Sequence, residues 1–169
     1  MTTMRAMTMT STGEPAVLRL AEVERPDRLD AEVLVRVVAA GVDPLDVQLR
    51  AGRRGVPATG EPIVLGHAFS GVVVEAPYAA HPLQPGTEVA GVGMPPRMTG
   101  AYAEYVAAPA LGVVRKPATL SHLEAAAMPL AALTAWGLVV DVATAHEGQR
   151  MLIRGGTSAA GHLAEQLGA

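Results

Sequence analysis

At 169 residues and a formal charge of −3, the chain has the length of one ordinary domain and no long Lys/Arg run that would draw nucleic acid or an acidic membrane to it. Cysteine is absent, which excludes disulfides, thiolate catalysis and Cys-ligated zinc and is compatible with a reducing, cytoplasmic setting. Half of the residues are hydrophobic yet only 3% are aromatic, and 18 Gly with 13 Pro favour a turn-rich β architecture with a core of Val, Leu, Ala and Met.

The first ten residues are polar and carry no apolar signal core, and the longest apolar stretch, residues 130–140, falls short of the roughly 20 residues a membrane span needs. Short β-type runs come first, at residues 4–10, 17–23 and 32–39. In the last of these Val33, Val35 and Val37 alternate with Leu34, Arg36 and Val38. Turns are predicted at Gly13-Glu14-Pro15 and Pro26-Asp27. Pro44 opens a short helix over 44–51 that ends near Gly52. Strands over 63–65 and 70–74 flank Gly66-His67, a turn over 82–86 leads to a strand over 87–92, and a further strand is predicted over 101–106.

From Ser121 the texture becomes helical. Ser121 and Glu124 have capping-box spacing, in which each side chain satisfies a backbone donor of the other residue. Pro129 should interrupt or re-aim that helix, a second helical run covers 130–143, and His146-Glu147-Gly148 is a turn. Residues 150–154 are predicted as a strand entering Gly155-Gly156, with a helix over 158–167 after it.

Read in order, Val33-Leu34-Val35-Arg36, Ala39-Ala40-Gly41-Val42-Asp43-Pro44-Leu45-Asp46, Leu65-Gly66-His67-Ala68-Phe69-Ser70-Gly71, Gly100-Ala101-Tyr102-Ala103-Glu104-Tyr105-Val106, Glu124 to Pro129 and Leu133-Thr134-Ala135-Trp136 resemble the successive signatures of one family. It is the quinone oxidoreductase type of zinc-independent medium-chain dehydrogenase/reductase. The resemblance implies an α+β, mainly β fold: a GroES-like β-barrel substrate domain over 1–120, then linking helices and a single truncated Rossmann βα unit, the vestigial start of a nucleotide-binding domain, over 121–169. It also implies relatives that pass hydride from NADPH to the C=C bond of a quinone or enone.

The zinc-dependent branch of that superfamily needs a cysteine soon after the equivalent of Gly41 and a Gly-His-Glu later. Here Asp43 stands at the first place and Ala68 follows Gly66-His67, so no metal is expected, because His67 alone cannot hold a tetrahedral zinc. His81, His122, His146 and His162 are too scattered to suggest another metal cluster. Relatives usually carry a loop like Gly-Ala-Ala-Gly-Gly-Val-Gly at the cofactor's pyrophosphate. This chain has Gly155-Gly156-Thr157-Ser158-Ala159-Ala160-Gly161, with Ser158 and Ala159 in the central glycine places. Gly155, Gly156, Ser158 and Gly161 therefore read as a vestigial cofactor site, and Ala169 precedes the strand that would carry the ribose contacts. A micromolar cofactor corresponds to about −8 kcal/mol, and losing half of that leaves millimolar binding. The expectation is that this chain alone binds no cofactor tightly.

By resemblance, residues 43–48 and Thr134 line the meeting place of substrate and nicotinamide, which makes Asp43, Gln48 and Thr134 the candidate catalytic residues. Relatives usually have Asn at Asp43 and often an aromatic residue at Gln48. Asp43 can accept a hydrogen bond or carry a proton. The competing reading is a helix cap before Pro44. Tyr102, Tyr105 and Trp136 are expected to pack or hydrogen-bond rather than catalyse.

Two functions remain open, with a pure binding or scaffold role as a third. One is a substrate domain of an enone or quinone reductase that is not self-sufficient: a fragment, a degenerate copy or one half of a split enzyme. The other is a cofactor-independent tailoring enzyme of secondary metabolism, a cyclase, isomerase or addition catalyst acting on an unsaturated, polyketide-like substrate. Either takes a small unsaturated organic molecule. The apolar faces over 130–154 point to a homodimer or to a partner chain that covers them.

Overall fold

Alternation settles the first strand, β1 (Thr3–Met9), in which Met4, Ala6 and Thr8 turn inward while Thr3 and Arg5 face out. The chain is described here from a computed structural model covering residues 2–55, 62–93 and 99–168. After a 3-10 turn at Pro15–Val17, β2 (Arg19–Glu24) returns antiparallel to β1, and β4 (Ile63–Val64) pairs on the other side of β1. A second sheet takes β3 (Glu32–Ala40), β5 (Ala68–Glu75), β6 (Glu88–Val92), β7 (Tyr105–Pro109) and β8 (Val113–Arg115) in the order β7-β3-β5-β6-β8, every pair antiparallel. Register shifts between β3 and β5 at Leu34/Val35 and Val37/Ala39 curl this sheet towards a half-barrel.

Val33, Val35, Phe69, Val73, Val89 and Val106 fill the concavity, and Phe69, the only Phe of the sequence, is fully buried. Cutting it to alanine would cost about 3–5 kcal/mol, the expected cost of hollowing a packed core. The mainly β, GroES-like class read from the sequence is the class observed.

The strand predicted over 101–106 forms later, as β7, because the residues before it are drawn towards the other sheet. Ala103 makes an isolated bridge to Ala6, the Met7 N–H donates to the Tyr102 carbonyl (2.8 Å), and the Val37 N–H donates to the Glu104 carbonyl (2.9 Å). Arg5 and Glu104 add an ion pair at 2.7 Å. Residues 102–104 thus form a seam between the two sheets.

Two helices belong with the sheets: α1 (Pro44–Arg50) and α2 (His122–Ala127). The capping box at Ser121 forms as expected, the Ser121 N–H donating to Glu124 (2.8 Å) and the Glu124 N–H to the Ser121 hydroxyl (3.2 Å). Helix α2 lies against β3, β5 and β6 through buried Ala125 and Ala126. His122 secures it, with Nδ1 2.7 Å from Ser70 Oγ and Nε2 3.4 Å from Glu88.

The chain divides into two compact units, Met1–Ala127 and Met128–Ala169. In the second, Pro129 starts α3 (Pro129–Trp136), which continues as a π-helical stretch, Gly137–Val142, so the run predicted over 130–143 is helical but changes winding midway. The last helix is α4 (Ala159–Leu167), and Ala135, Val139 and Ala164 form the small core between these helices. The strand predicted over 150–154 is not one. Those residues run without a ladder, because no other strand is present among the described residues of this unit to supply the hydrogen bonds that define a sheet. Among the described residues no helix is long and apolar enough to cross a membrane.

Candidate functional site

The site grows from the N-terminus of α1. Pro44 at its first position cannot donate, so the free donors of the first turn fall to Leu45 and Asp46, and Asp43 Oδ1 accepts from both (2.8 and 3.3 Å). Asp46 reaches back to accept from the Asp43 N–H (3.2 Å), which completes a capping box built from two aspartates. Asp43 is therefore the helix cap that the sequence allowed. Its second oxygen, Oδ2, is buried and has no hydrogen-bond partner among the described residues.

Asp46 does far more than cap. Only 2% exposed, its carboxylate also accepts from the Gly66 N–H (3.1 Å), from His67 Nδ1 (2.7 Å) and from the Tyr102 hydroxyl (3.0 Å). An ionised carboxylate only accepts, so His67 carries its proton on Nδ1. Gly66 makes this convergence possible: its φ of +99° belongs to glycine, and a Cβ there would lie 2.6 Å from the Tyr102 ring.

Electrostatics separates the two aspartates. Burial pushes Asp46 upward, but the His67 and Asp43 N–H hydrogen bonds, the electrostatic pull of His67 and the Tyr102 hydroxyl outweigh it and hold Asp46 below the ordinary carboxylate range. Asp43 moves the other way. Burial first and the neighbouring Asp46 charge second raise it, against hydrogen bonds from the Asp46 and Leu45 N–H groups and the pull of His67. Burial, and then Asp46, also raises Tyr102, so its hydroxyl remains a donor.

Asp43, Asp46 and His67 bring three possible metal-ligand atoms within 4.8 Å of one another. The donor set does not fit a cation as arranged. The short contact between Asp46 and His67 is an N–H to carboxylate hydrogen bond, and a metal on both would have to displace that proton.

Asp43 and Gln48 lie on one groove of about 450 Å³ together with Val42, Pro44, Val47 and Arg53. Gln48 Oε1 accepts from Arg54 Nε (3.0 Å). Thr134 sits in the second unit, on α3, with its hydroxyl donating to the Leu130 carbonyl one turn back (2.8 Å). Sequence reasoning passed over Asp46 and weighed His67 only as a zinc ligand. The available signal was the three-residue spacing of Asp43 and Asp46, the same spacing recognised at Ser121 and Glu124.

The glycine loop lies before α4. Ser158 caps that helix: its hydroxyl accepts from the Gly161 N–H (3.1 Å) and donates to the Gly155 carbonyl (2.8 Å). A Cβ at Gly161 would collide with the Gly155 carbonyl, so glycine is required for this close turn. A side chain at Gly156 would collide with the Glu165 carboxylate, which stands over that residue. In this arrangement the loop does not fit a pyrophosphate, since one N–H donor is engaged by Ser158 and an anion would meet the Glu165 charge.

Residues 29–118 match the alcohol dehydrogenase GroES-like domain family. The chain is 36% identical to 2-methylene-furan-3-one reductase of Solanum lycopersicum and 33% identical to the chloroplastic NADPH-dependent alkenal/one oxidoreductase of Arabidopsis thaliana. Each comparison covers 97% of this chain and 44% of the relative. The structure of the quinone oxidoreductase from Coxiella burnetii superposes with a TM-score of 0.87 at 34% identity, covering 99% of this chain and 53% of that one. This chain thus spans about half the length of these proteins. A shared strand order would carry only the fold, but the match over the sheets and α1 together with the quinone and enone oxidoreductase relatives carries more: the chain belongs to the GroES-like family of the medium-chain dehydrogenases/reductases, on its quinone and enone oxidoreductase side.

Proposed function

We propose that the chain is the substrate-side portion of an enone or quinone reductase, zinc-independent and not self-sufficient, in which the α1 groove receives a small α,β-unsaturated carbonyl compound. The observation that carries this is Asp43. Among the described residues its Oδ2 is buried without a partner, and burial with the Asp46 charge keeps its proton on to higher pH than an ordinary aspartate. Asp43 lines the groove, and wherever its carboxyl holds a proton it is a hydrogen-bond donor able to polarise a carbonyl oxygen placed against it. Asp46, His67 and Tyr102 hold Asp43 in place through the capping box. Gln48 and Arg53 offer further donors along the same groove.

In the family NADPH supplies the hydride. This chain's glycine loop, with Ser158 and Glu165 as described, argues against tight binding of that cofactor by the chain alone. The same loop favours one second reading, a cofactor-independent isomerisation or addition in the groove. Calorimetry and turnover separate the two. Titration with NADPH is expected to give no micromolar dissociation constant, and cyclohexenone is expected to bind with an affinity reduced by Asp43→Ala and Gln48→Ala but not by Ser158→Gly. Micromolar NADPH binding with oxidation of the cofactor by an enone would overturn the claim of incompleteness. Conversion of a bound enone without any nicotinamide would favour the second reading.

A further inference from the structure

We infer that the α1 groove selects unsaturated carbonyl compounds that bear a carboxylate, with Arg53 as the counter-ion. This rests on the substrate reading above and narrows it to a class. Three arginines follow one another at the end of α1, and the structure gives them different tasks. The Arg50 guanidinium donates to the Gly13 carbonyl, and Arg54 Nε donates to Gln48 Oε1 (3.0 Å). Among the described residues the Arg53 guanidinium makes no hydrogen bond or ion pair, yet Arg53 lines the groove. Its backbone is not loose, because the Arg53 N–H donates to the Gln48 carbonyl (2.9 Å) and so ties the residue to the end of α1.

The rest of the groove suits such a ligand. Val42, Pro44 and Val47 give an apolar wall for a carbon chain, and a volume of about 450 Å³ admits a small acyclic molecule. Arg54 occupies the oxygen of Gln48 and thereby leaves the amide NH₂ as its donating end. Asp43, the acid of the groove, is raised by burial and by Asp46, so it opposes an incoming anion less than an ordinary aspartate would. A guanidinium engages a carboxylate through two parallel N–H bonds, a geometry that a neutral ester cannot match.

Calorimetric titration of the whole chain with trans-acetylacrylate, its methyl ester and acetate tests the inference. The acid is expected to bind about tenfold more tightly than the ester, a difference of about 1.4 kcal/mol. Arg53→Gln should remove that difference by lowering the affinity for the acid more than that for the ester. Equal affinity for acid and ester in the unaltered chain, or a preference that survives Arg53→Gln, overturns the role of Arg53 while the enone reading stands. Acetate binding as tightly as acetylacrylate would reduce the site to a general anion contact and would also overturn it. If neither acid nor ester binds, the substrate reading falls with it.

Discussion

Replacing Asp46 by asparagine keeps the volume of the side chain and one of its oxygens but turns the other acceptor into an NH₂. Four donors converge on the carboxylate: the N–H groups of Asp43 and Gly66, His67 Nδ1 and the Tyr102 hydroxyl. The amide oxygen can continue to serve Gly66 and His67. The NH₂ then faces the Asp43 N–H and the Tyr102 hydroxyl. Tyr102 can rotate its proton away and accept, whereas the Asp43 N–H cannot and is left unpaired. Losing a hydrogen bond to a charged group costs about 1.5–3 kcal/mol, and an unsatisfied buried donor about 1–3 kcal/mol. A destabilisation of about 3 kcal/mol at neutral pH is expected, or about 10 °C in Tm for a chain of this size. The pH dependence is the sharper test. Asp46 is held below its ordinary value, so its contribution is complete above the unfolded carboxylate range near about pH 4 and is lost as the pH falls through the lower folded value. Thermal unfolding followed by near-ultraviolet circular dichroism should show the gap between the two proteins closing in acid. A penalty that stays constant with pH, or one below about 1 kcal/mol, would refute the assignment of Asp46 as the charged centre of the network.

Gly66→Ala places a side chain at φ +99° and against the Tyr102 ring, so denaturant titration should show a loss of about 2 kcal/mol or more. Asp43 is raised, so the donor it offers to an enone is present at low pH and fades as the pH rises through the elevated value. Enone affinity should fall over that interval in the unaltered chain and stay flat in Asp43→Asn, and parallel profiles would exclude Asp43 as the donor. In the second unit Leu138, Val142 and Leu152 are exposed around a core of three buried residues. Light scattering should show a homodimer that Val142→Lys with Leu152→Lys weakens, and a monomeric unaltered chain would refute this.

The sheets were legible because their signals are local. The alternation of Val33 to Val38 and the Pro44 that opens α1 each act over a few residues, and both elements appear where expected. Residues 101–104 were misread as a strand because their backbone partners are split among β1, β3 and residues 65–66, all distant in sequence, where no local pattern points to them. Residues 150–154 have the composition of a strand, but a strand exists only with a neighbour. The site was half legible. Asp43 and Gln48 were candidates through the family resemblance and lie on one groove, whereas the carboxylate beside them draws on Gly66, His67 and Tyr102, which only the folded chain brings to it.

The seam at residues 102–104 bears on the order in which this chain folds. It joins Arg5 to Glu104, 99 residues apart, so closing it restricts a long loop, and contacts of that span form slowly. The hairpin of β1 and β2 and the cap of α1 involve near neighbours and can form early. Tyr102 lies in the seam and also donates to Asp46. The Asp46 cluster therefore matures only after the two sheets have met, and the Tyr102 hydroxyl contact is a late event on the folding route. The buried carboxylate beside the groove thus gains its Tyr102 contact only when the stretch up to residue 104 has docked against β1.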